Sequence, residues 1–375
     1  MPMALKYLLP GQMHFMQQNG FDVLMISADG KEREDVMERE GCPHIIVPMT
    51  RQITPVQDLK CLIKLIKIFR KERPDIVHTH TPKAGLLGML AAKICSVKVR
   101  IHTVAGLPLM VEKGWKLQLL TFIEKLTYAS ANQVWPNSNS LKEYITSHHL
   151  TRPGKLSVIA KGSTNGIDLH RFNPHGLSPQ IITEVKNLIS FSEENIYLLC
   201  IGRLVLDKGI VELVNAFIRL HEKNSALQLI LVGDFEEVLD PLPADILTEI
   251  ETNKSIIHIR WTNQVEYFMA IANLFIFPSH REGFPNVLLQ AGAMQLPIIC
   301  SKIPGNIDIV ENEKTGLIFE TANTAQVTSN VEYALNHMPE MNAMALILHK
   351  HINENFRREN IWNSILMKYQ SLLNK

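Results

Sequence analysis

The sequence predicts an α/β protein with two Rossmann-like, doubly wound domains that face a central cleft. Three observations support this fold class: 375 residues are enough for about two domains, short apolar runs alternate with helix-like runs, and the alternation restarts after Asp168. Strands separated by helices pair in parallel, because each crossover needs a helical length of chain. We expect a first domain over residues 1–165, a second over 166–350, and a C-terminal helix over 351–375 that packs back towards the first domain.

The strand-like runs of the first domain are separated by helix-like stretches such as LKCLIKLIKIFRKE. They are DVLMIS (22–27), HIIVPM (44–49), DIVHTH (75–80), VRIHTV (99–104), QVWPNS (133–138) and LSVIA (156–160). A doubly wound domain normally opens with a strand at the middle of its sheet, yet MPMALKYLLPGQMHFMQQNG leads into a helix-like segment. We therefore expect the first strand of this domain to be missing.

The second domain repeats the pattern with five strand-like runs. They are IYLLCIG (196–202), LQLILVG (227–233), IIHIRW (256–261), LFIFPS (274–279) and LPIICS (296–301). In an open parallel sheet, ligands bind in the crevice outside the carboxyl ends of the strands. The loops that follow these runs are therefore the places to look for functional side chains.

The composition excludes several classes of protein. The five cysteines are odd in number, widely spaced and mostly within apolar runs, so they predict neither a disulfide framework nor a zinc site and favour a reducing cytoplasm. We find no signal-peptide pattern and no apolar run near the roughly 20 residues that span a bilayer. A Rossmann dehydrogenase is disfavoured because no strand-like run is followed by G-x-G-x-x-G.

The formal net charge of +1 conceals an uneven distribution. Residues 1–165 contain 22 Lys and Arg against 13 Asp and Glu, whereas residues 166–375 contain 16 against 24. A basic half is compatible with an anionic membrane surface, a phosphorylated substrate or a merely solvated face. Nucleic acid is not expected as a partner, because the basic residues are mixed with acids and lack interleaved aromatics.

Two cations follow the first strand-like run of the second half. In IGRLVLDKG, Arg203 and Lys208 lie in the loop, and Gly209 opens a helix. Two positive side chains beside free backbone N–H groups suit a diphosphate. The alternative is a pair of ordinary surface charges at a strand end.

A carboxylate and an amide follow the LFIF run. In REGFPNVLLQAGAM, Glu282 lies in the loop, and Gln290 falls two helical turns later on roughly the same face. Together they could hold different hydroxyls of one ligand, and the alternative is a capping Glu with a solvated Gln. The next loop, SKIPGNIDIVENEKTG, is expected to offer N–H groups of Asn306 and Ile307 at the start of a helix.

These motifs resemble those of GT-B fold glycosyltransferases of family 4 over nearly the whole chain. GRLVLDKG is similar to the diphosphate-binding loop of that family, EGFPNVLLQ to its E-x7-E signature and GSTNGIDLHRF to the entry into its nucleotide domain. VHTHTPKAGLLGMLAAK, RIHTVAGLP and LVGDFEE further resemble bacterial enzymes that extend lipid-linked or capsular polysaccharide precursors. The resemblance makes the first domain the acceptor domain and the second the nucleotide-sugar domain.

The resemblance implies roles for individual residues. Arg203 and Lys208 would neutralise the donor diphosphate as it departs, and Glu282 would hold hydroxyls of the donor sugar. Gln290, where the family usually has Glu, would face the ribose with a weaker, uncharged acceptor. The donor would also contact the residues between them, namely Gly283, Phe284, Pro285 and Asn286.

A histidine of the first domain is expected near the transferred sugar. His102 in RIHTVAGLP is the leading candidate, because some family members carry a histidine at this strand end, whereas others carry theirs where this chain has Ala105. Each histidine also has the alternative of a satisfied strand-end side chain, which we favour for His78 and His80. Further acceptor contacts are expected from Lys83, Gly85 and residues 106–108.

The implied reaction moves a hexosyl or N-acetylhexosaminyl group from a nucleotide sugar, UDP-linked by family likeness, to a saccharide or lipid-diphosphate acceptor. It would retain anomeric configuration and use neither a metal ion nor a tightly bound cofactor. The enzyme would be cytoplasmic, and its basic first half and the segment GLPLMVEKGWKLQLLTFIEKL could contact the inner face of the membrane. The alternative, which we favour for most of that segment, is a buried amphipathic helix. The alternatives are a catalytically impaired scaffold subunit and a sugar-nucleotide epimerase.

Overall fold

The computed structural model describes residues 2–50, 52–236 and 240–374, and these fall into two compact units. Unit 1 contains the residues up to Gly166 together with those from Arg358 onward, and unit 2 runs from Ile167 to Arg357. The strand pairs in the described parts of the chain are all parallel. The predicted α/β class with parallel sheets is therefore confirmed.

Unit 1 has helices on both sides of its strands. Its elements are α1 (Pro2–Leu8), α2 (Gln12–Gln18), β1 (Met25–Ser27), α3 (Arg33–Glu40), β2 (His44–Ile46), α4 (Pro55–Glu72), β3 (Ile76–Thr79), α5 (Pro82–Ile94), β4 (Val99–Val104), α6 (Gly114–Ser130), β5 (Gln133–Pro136), α7 (Asn139–Ser147) and α15 (Arg358–Leu373). The five strands form two separate sheets, β1-β2 and β3-β4-β5. No described residue before Met25 lies in a strand.

Successive residues along the strands of the β3-β4-β5 sheet point to opposite faces, and each face packs in a different hydrophobic cluster. Ile101 and Trp135 pack with Ile361 and Ile365 of α15, whereas the neighbouring residue Val134 packs in the cluster that includes residues of α5 and α6. This division follows from the two-residue side-chain period of a strand. The carboxy-terminal helix is thus part of the core of unit 1.

Unit 2 is a six-stranded parallel sheet flanked by helices. Its elements are α8 (Pro179–Leu188), β6 (Ile196–Ile201), α9 (Ile210–Lys223), β7 (Leu227–Val232), α10 (Ala244–Thr252), β8 (Ile256–Ile259), α11 (Val265–Ile271), β9 (Leu274–Phe277), α12 (Asn286–Ala293), β10 (Ile298–Ser301), β11 (Leu317–Phe319), α13 (Thr324–Asn336) and α14 (Met338–Asn355). The strand order β8-β7-β6-β9-β10-β11 is the doubly wound Rossmann order. The central strands are fully buried because helices cover both faces of the sheet.

Two strand predictions were wrong. Residues 156–160 do not form a strand; Leu156 makes an isolated bridge to Val134, and the backbone then turns at Ala160, where φ is 49°. Conversely, β11 was not predicted, because its apolar run LIF ends at once at Gly316 and Glu320, whereas the equally short β1 and β2 lie within longer apolar runs.

A glycine of α5 fits against a histidine of β4. A Cβ built at Gly85 would lie 2.4 Å from Cε1 of His102. We therefore expect Gly85→Ala to lower the free energy of unfolding by about 1–3 kcal/mol through overpacking, measured by denaturant titration.

Gly154→Ala is the matched control, because nothing lies within 4 Å of a Cβ there. It should stay within about 1 kcal/mol of the parent. In a His102→Ala background most of the Gly85→Ala penalty should disappear, since the clashing ring is gone. An equal penalty in both backgrounds would show that the ring is not the cause.

Candidate active site

The predicted donor-site residues follow β6 and β9, the two strands at the middle of the unit 2 sheet. The direction in which strands are added reverses between these two, so their carboxyl ends form a topological switch point. Ligands of open parallel sheets bind in the crevice at such a point. Arg203 and Lys208 follow β6, and Glu282 follows β9. The observed strand order therefore places these charged residues at the expected binding edge.

Two glycines let the loops at this edge approach each other through their backbones. Gly209 has a φ of 66°, and a Cβ built there would lie 2.2 Å from the carbonyl oxygen of Pro278. Gly305 has a φ of 88°, and its Cβ would lie 2.4 Å from the carbonyl oxygen of Gly283. Any larger residue would push these loops apart and would be strained at positive φ.

Both predicted phosphate-binding cations are ion-paired in the structure. Lys208 Nζ donates a hydrogen bond to Glu282 Oε1, and Ser279 Oγ lies 3.2 Å from the same oxygen. Arg203 Nη1 donates to Glu236 Oε2 in the loop after β7. Phosphate oxygens accept the same charge-assisted hydrogen bonds as carboxylates. A bound diphosphate would therefore compete with Glu282 and Glu236 for these cations.

Sequence reasoning missed Glu236. It lies in the run LVGDFEE, whose family resemblance was noted without a role for this side chain. The signal that could have found it is topological, because β7 pairs with β6 and the loops after paired parallel strands lie at the same edge. The sequence does not reveal which strands are paired.

A second set of contacts joins the residues just before Glu282 to Asp207 and Glu212. Arg281 Nη2 is 2.5 Å from Asp207 Oδ2, and the backbone N–H of His280 donates to the Asp207 carbonyl over 2.8 Å. His280 Nε2 also lies 3.1 Å from Glu212 Oε1, and this contact raises the pKa of His280. The residues just before Glu282 are therefore cross-linked to the loop after β6 and to the first turn of α9.

The remaining predicted donor contacts lie at the start of α12. Phe284 is buried with its ring centroid 5.4 Å from that of Phe356, so its side chain packs in the core. Pro285 directly precedes α12, Asn286 is its first residue, and Gln290 follows one turn later on the same face, half-buried. Their donor-binding roles stay predictions.

The loop after β10 differs from the prediction. Residues 304–309 form turns and no helix, and the N–H of Ile307 donates to the carbonyl of Ile303 over 3.2 Å. The side-chain Nδ2 of buried Asn306 donates to the Ser301 carbonyl over 2.9 Å. The predicted ligand role of the Ile307 N–H was wrong because it is used within the loop, and Asn306 anchors that loop to β10.

His102 is buried in unit 1, with only 2% of its surface exposed. Its Nδ1 is 2.9 Å from Thr79 Oγ1, and its ring centroid lies 6.0 Å from that of Tyr128. Burial lowers the pKa of His102 to about 4, so the ring is neutral at pH 7. These are the contacts of a packed strand-end histidine, and its catalytic role stays a prediction.

The other acceptor-side candidates also have structural partners. His78 uses both ring nitrogens, with Nδ1 2.5 Å from Tyr369 Oη and Nε2 2.7 Å from Thr103 Oγ1. Lys83 Nζ is 2.8 Å from Asp58 Oδ1 and also contacts the loop before α4. Lys83 therefore fastens that loop to α5.

The described residues contain neither a metal-binding cluster nor a helix that could span a membrane. Among residues 2–50, 52–236 and 240–374, no group of three or more His, Cys, Asp and Glu side chains is placed to hold a metal ion. The helices in the same part of the chain fall short of the length and apolar character needed to cross a membrane.

Two family models match the chain, one in each unit. The model "Glycosyl transferase 4-like domain" matches residues 11–162, and "Glycosyl transferases group 1" matches residues 182–347. The capsular polysaccharide biosynthesis glycosyltransferase CapM of Staphylococcus aureus is 33% identical over 366 residues, covering 98% of this chain and 94% of the relative. The Escherichia coli UDP-Gal:alpha-D-GlcNAc-diphosphoundecaprenol alpha-1,3-galactosyltransferase is 29% identical over 80% of this chain and 76% of that enzyme.

Solved structures share the fold at low identity. HepE of Anabaena in complex with UDP-glucose has a TM-score of 0.79 at 16% identity, covering 98% of this chain and 96% of that one. A glycosyltransferase of Rickettsia africae has a TM-score of 0.78 at 18% identity, covering 97% and 93%. The family matches, the CapM identity and this fold agree. The chain therefore belongs to the GT-B fold glycosyltransferases of family 4.

Proposed function

We propose that this glycosyltransferase moves a hexosyl or N-acetylhexosaminyl group from a UDP-sugar to a saccharide or lipid-diphosphate acceptor in cell-surface polysaccharide synthesis. One observation carries the proposal: Arg203, Lys208 and Glu282 lie at the switch point of unit 2, and two of them bond directly. Two cations beside one carboxylate match a ligand with a diphosphate and a neighbouring sugar. Relatives named for capsule synthesis and for UDP-Gal transfer support the same substrate classes.

The ion pairs suggest how donor binding prepares the site. A diphosphate that takes the hydrogen bonds of Lys208 releases Glu282 from its partner, and the free carboxylate can accept hydrogen bonds from sugar hydroxyls. The same diphosphate separates Arg203 from Glu236. Once the diphosphate is bound, both cations already face it, so little further reorganisation is needed when negative charge develops on the leaving phosphate.

The transfer itself requires one bond to break and one to form at the anomeric carbon. The bond to the diphosphate oxygen breaks, and its electron pair stays on the diphosphate, whose charge Arg203 and Lys208 neutralise. The acceptor oxygen bonds to the anomeric carbon on the same face, and its proton passes to the departing phosphate oxygen. This sequence retains the anomeric configuration and needs no metal ion as a Lewis acid.

On the acceptor side, His102 is the proposed histidine near the transferred sugar. Its burial means that a neutral ring, and not an imidazolium, would meet the acceptor, so it could act only through hydrogen bonding. A packing role without acceptor contact is the alternative. His102→Asn distinguishes them, because a packing residue lowers stability whereas an acceptor contact lowers kcat/KM in folded enzyme.

Two further functions share this fold. An epimerase would convert the sugar nucleotide without an acceptor, and chromatography of the products separates it from a transferase. A scaffold subunit would bind UDP without turnover, an option motivated by Gln290 in place of the usual Glu. Both differ from the proposal in the product formed and not in the nucleotide bound.

We also propose peripheral contact with an anionic cytoplasmic membrane through exposed apolar and basic side chains of α4 and α6, here called the α4–α6 surface. Both helices pack against α5. Val56 on α4 is 72% exposed, and Trp115 and Phe122 on α6 are 70% and 64% exposed. The basic members are Lys60, Lys64, Lys67, Lys116 and Lys125. Exposed aromatics beside lysines suit the interface of anionic lipids.

Glu282→Gln tests the donor site. Removing the charge should lower kcat/KM by about 100-fold, because a preorganised acceptor near the reacting sugar is lost, measured as UDP release coupled to acceptor glycosylation. Glu320→Gln is the matched control, since Glu320 forms an exposed ion pair with Lys302 over 2.8 Å. Equal kinetics in the two variants would place Glu282 outside the reaction.

Gln290→Glu tests whether the amide of α12 faces the ribose. A carboxylate forms stronger hydrogen bonds to hydroxyl donors than an amide oxygen does, so the Kd for UDP should fall by about threefold to tenfold in calorimetric titration. Asn286→Asp is the matched control, because it puts the same negative charge one turn earlier on α12. An unchanged Kd for Gln290→Glu would locate Gln290 away from the nucleotide.

The double variant Trp115→Ser and Phe122→Ser tests the α4–α6 surface. Losing two membrane-inserted aromatics should weaken sedimentation with phosphatidylglycerol vesicles by at least about tenfold. Leu346→Ser with Ile347→Ser is the control, because these residues are exposed on α14 of unit 2. The proposal fails if both double variants bind vesicles as the parent does.

A further inference from the structure

A small polar pocket lies in unit 1 at the carboxyl ends of β3, β4 and β5, on the side covered by α15. We call it the strand-end pocket; its lining includes His80, Thr103, Trp135, Asn137, Thr164 and Ile365. It offers about 10 Å³ to the centre of a water-sized sphere. A cavity of roughly 10–15 Å³ on that measure holds one water molecule.

Three polar atoms of the pocket lining have no hydrogen-bond partner among the described residues. They are Nε1 of Trp135, Oδ1 of Asn137 and Nδ1 of His80. Trp135 is 2% exposed and Asn137 4% exposed, so bulk water does not satisfy them. Buried polar groups are nearly always paired, and an orphaned one costs about 1–3 kcal/mol. Three of them around one cavity point to a shared ligand.

The neighbouring polar side chains have direct partners. His78 bonds through both nitrogens to Tyr369 and Thr103, and Asn137 Nδ2 donates to Thr164 Oγ1 over 3.4 Å. With Asn137 Nδ2 bonded to Thr164, the Oδ1 atom is the part of the Asn137 amide that lacks a partner. Within the pocket lining, the buried side-chain atoms that lack a partner are those of Trp135, Asn137 and His80.

The hydrogen-bonding character of the three unpaired atoms determines which kind of ligand the pocket can hold. Trp135 Nε1 can only donate, Asn137 Oδ1 can only accept, and His80 Nδ1 takes either role according to its tautomer. A metal ion is excluded by the indole N–H, and an anion by the amide oxygen. Burial lowers the pKa of His80 to about 3, so His80 adds no positive charge at neutral pH. A neutral molecule that both donates and accepts is required.

We propose that the strand-end pocket binds one water molecule, which accepts from Trp135 Nε1, donates to Asn137 Oδ1 and makes its third hydrogen bond with His80 Nδ1. One water supplies two donors and two acceptor sites, so it satisfies all three atoms at once. The bridge joins the ends of β3 and β5, and it lies beside the segment 163–166 that leads out of unit 1.

The position of the water bridge indicates that it helps to anchor the segment 163–166. The segment 163–166 is already tied to unit 1, since Ser163 N donates to the Asn137 carbonyl over 2.8 Å and Trp362 Nε1 donates to Asn165 Oδ1 over 2.6 Å. Asn137 thus contacts the segment through its backbone and borders the proposed water through its side chain. The water holds the side chain of Asn137 and thereby helps to anchor the start of the crossover to unit 2.

The test is a crystal structure of the full chain at a resolution that shows ordered water. The expected result is one spherical peak within about 2.7–3.2 Å of all three atoms. Trp135→Phe keeps an aromatic ring but removes the N–H, and the peak should vanish from that variant. Trp362→Phe is the matched control, because its indole N–H has a direct protein acceptor, and the peak should remain.

Solution NMR covers the case in which Trp135→Phe does not fold. In the parent, the Trp135 indole proton should show a cross-peak to a long-lived water. His80→Phe changes a half-buried position and removes one partner of the water, so the same cross-peak should be weaker in that variant. Three results would overturn the proposal: direct pairing of the three atoms with protein groups, density too large for water such as an acceptor hydroxyl with its sugar, or a peak that persists in Trp135→Phe.

Discussion

Backbone contact between the loops after β6 and β9 is the constraint on which the proposed donor site depends. Gly209 lies against the carbonyl of Pro278, and this approach brings Lys208 to Glu282 across 74 residues of sequence. The contact exists because β6 and β9 are neighbours at the point where the strand order reverses. Charged groups that would otherwise be scattered over the surface are concentrated there, and a cation and a carboxylate are held ready for a ligand that can bind both.

The two-residue period of β4 decides the surroundings of the unit 1 histidines. Thr103 lies on the α15 side and contacts His78, while its neighbour His102 lies on the other side against Gly85 and Thr79. Side chains next to each other in sequence therefore serve different layers. The parity of a histidine in the strand therefore decides which of the two cores surrounds it, and residue type alone does not decide this.

Much of the fold was predictable from the sequence because long-range order in this chain follows from local patterns. Runs of six or seven mostly apolar residues located ten of the eleven strands in the described residues, and the charged residues after β6 and β9 indicated the candidate site. The sequence could not show the partner of Arg203, since that depends on which strands are neighbours. It could not show that Ala160 turns the chain out of a strand, nor that Ile307 uses its N–H within its own loop, because both are details of loop conformation.

Helix α15 completes the core of unit 1 although the whole of unit 2 precedes it in the chain. Ile361, Ile365 and Tyr369 cover the face of the β3-β4-β5 sheet that carries Ile101 and Trp135. On the ribosome, unit 2 has all of its residues before α15 emerges, whereas unit 1 exposes an apolar sheet face until α15 has been made. Domains usually fold in the order of synthesis, amino-terminal first. In this protein the second unit can reach its native state before the first, because the core of unit 1 is incomplete until α15 is available.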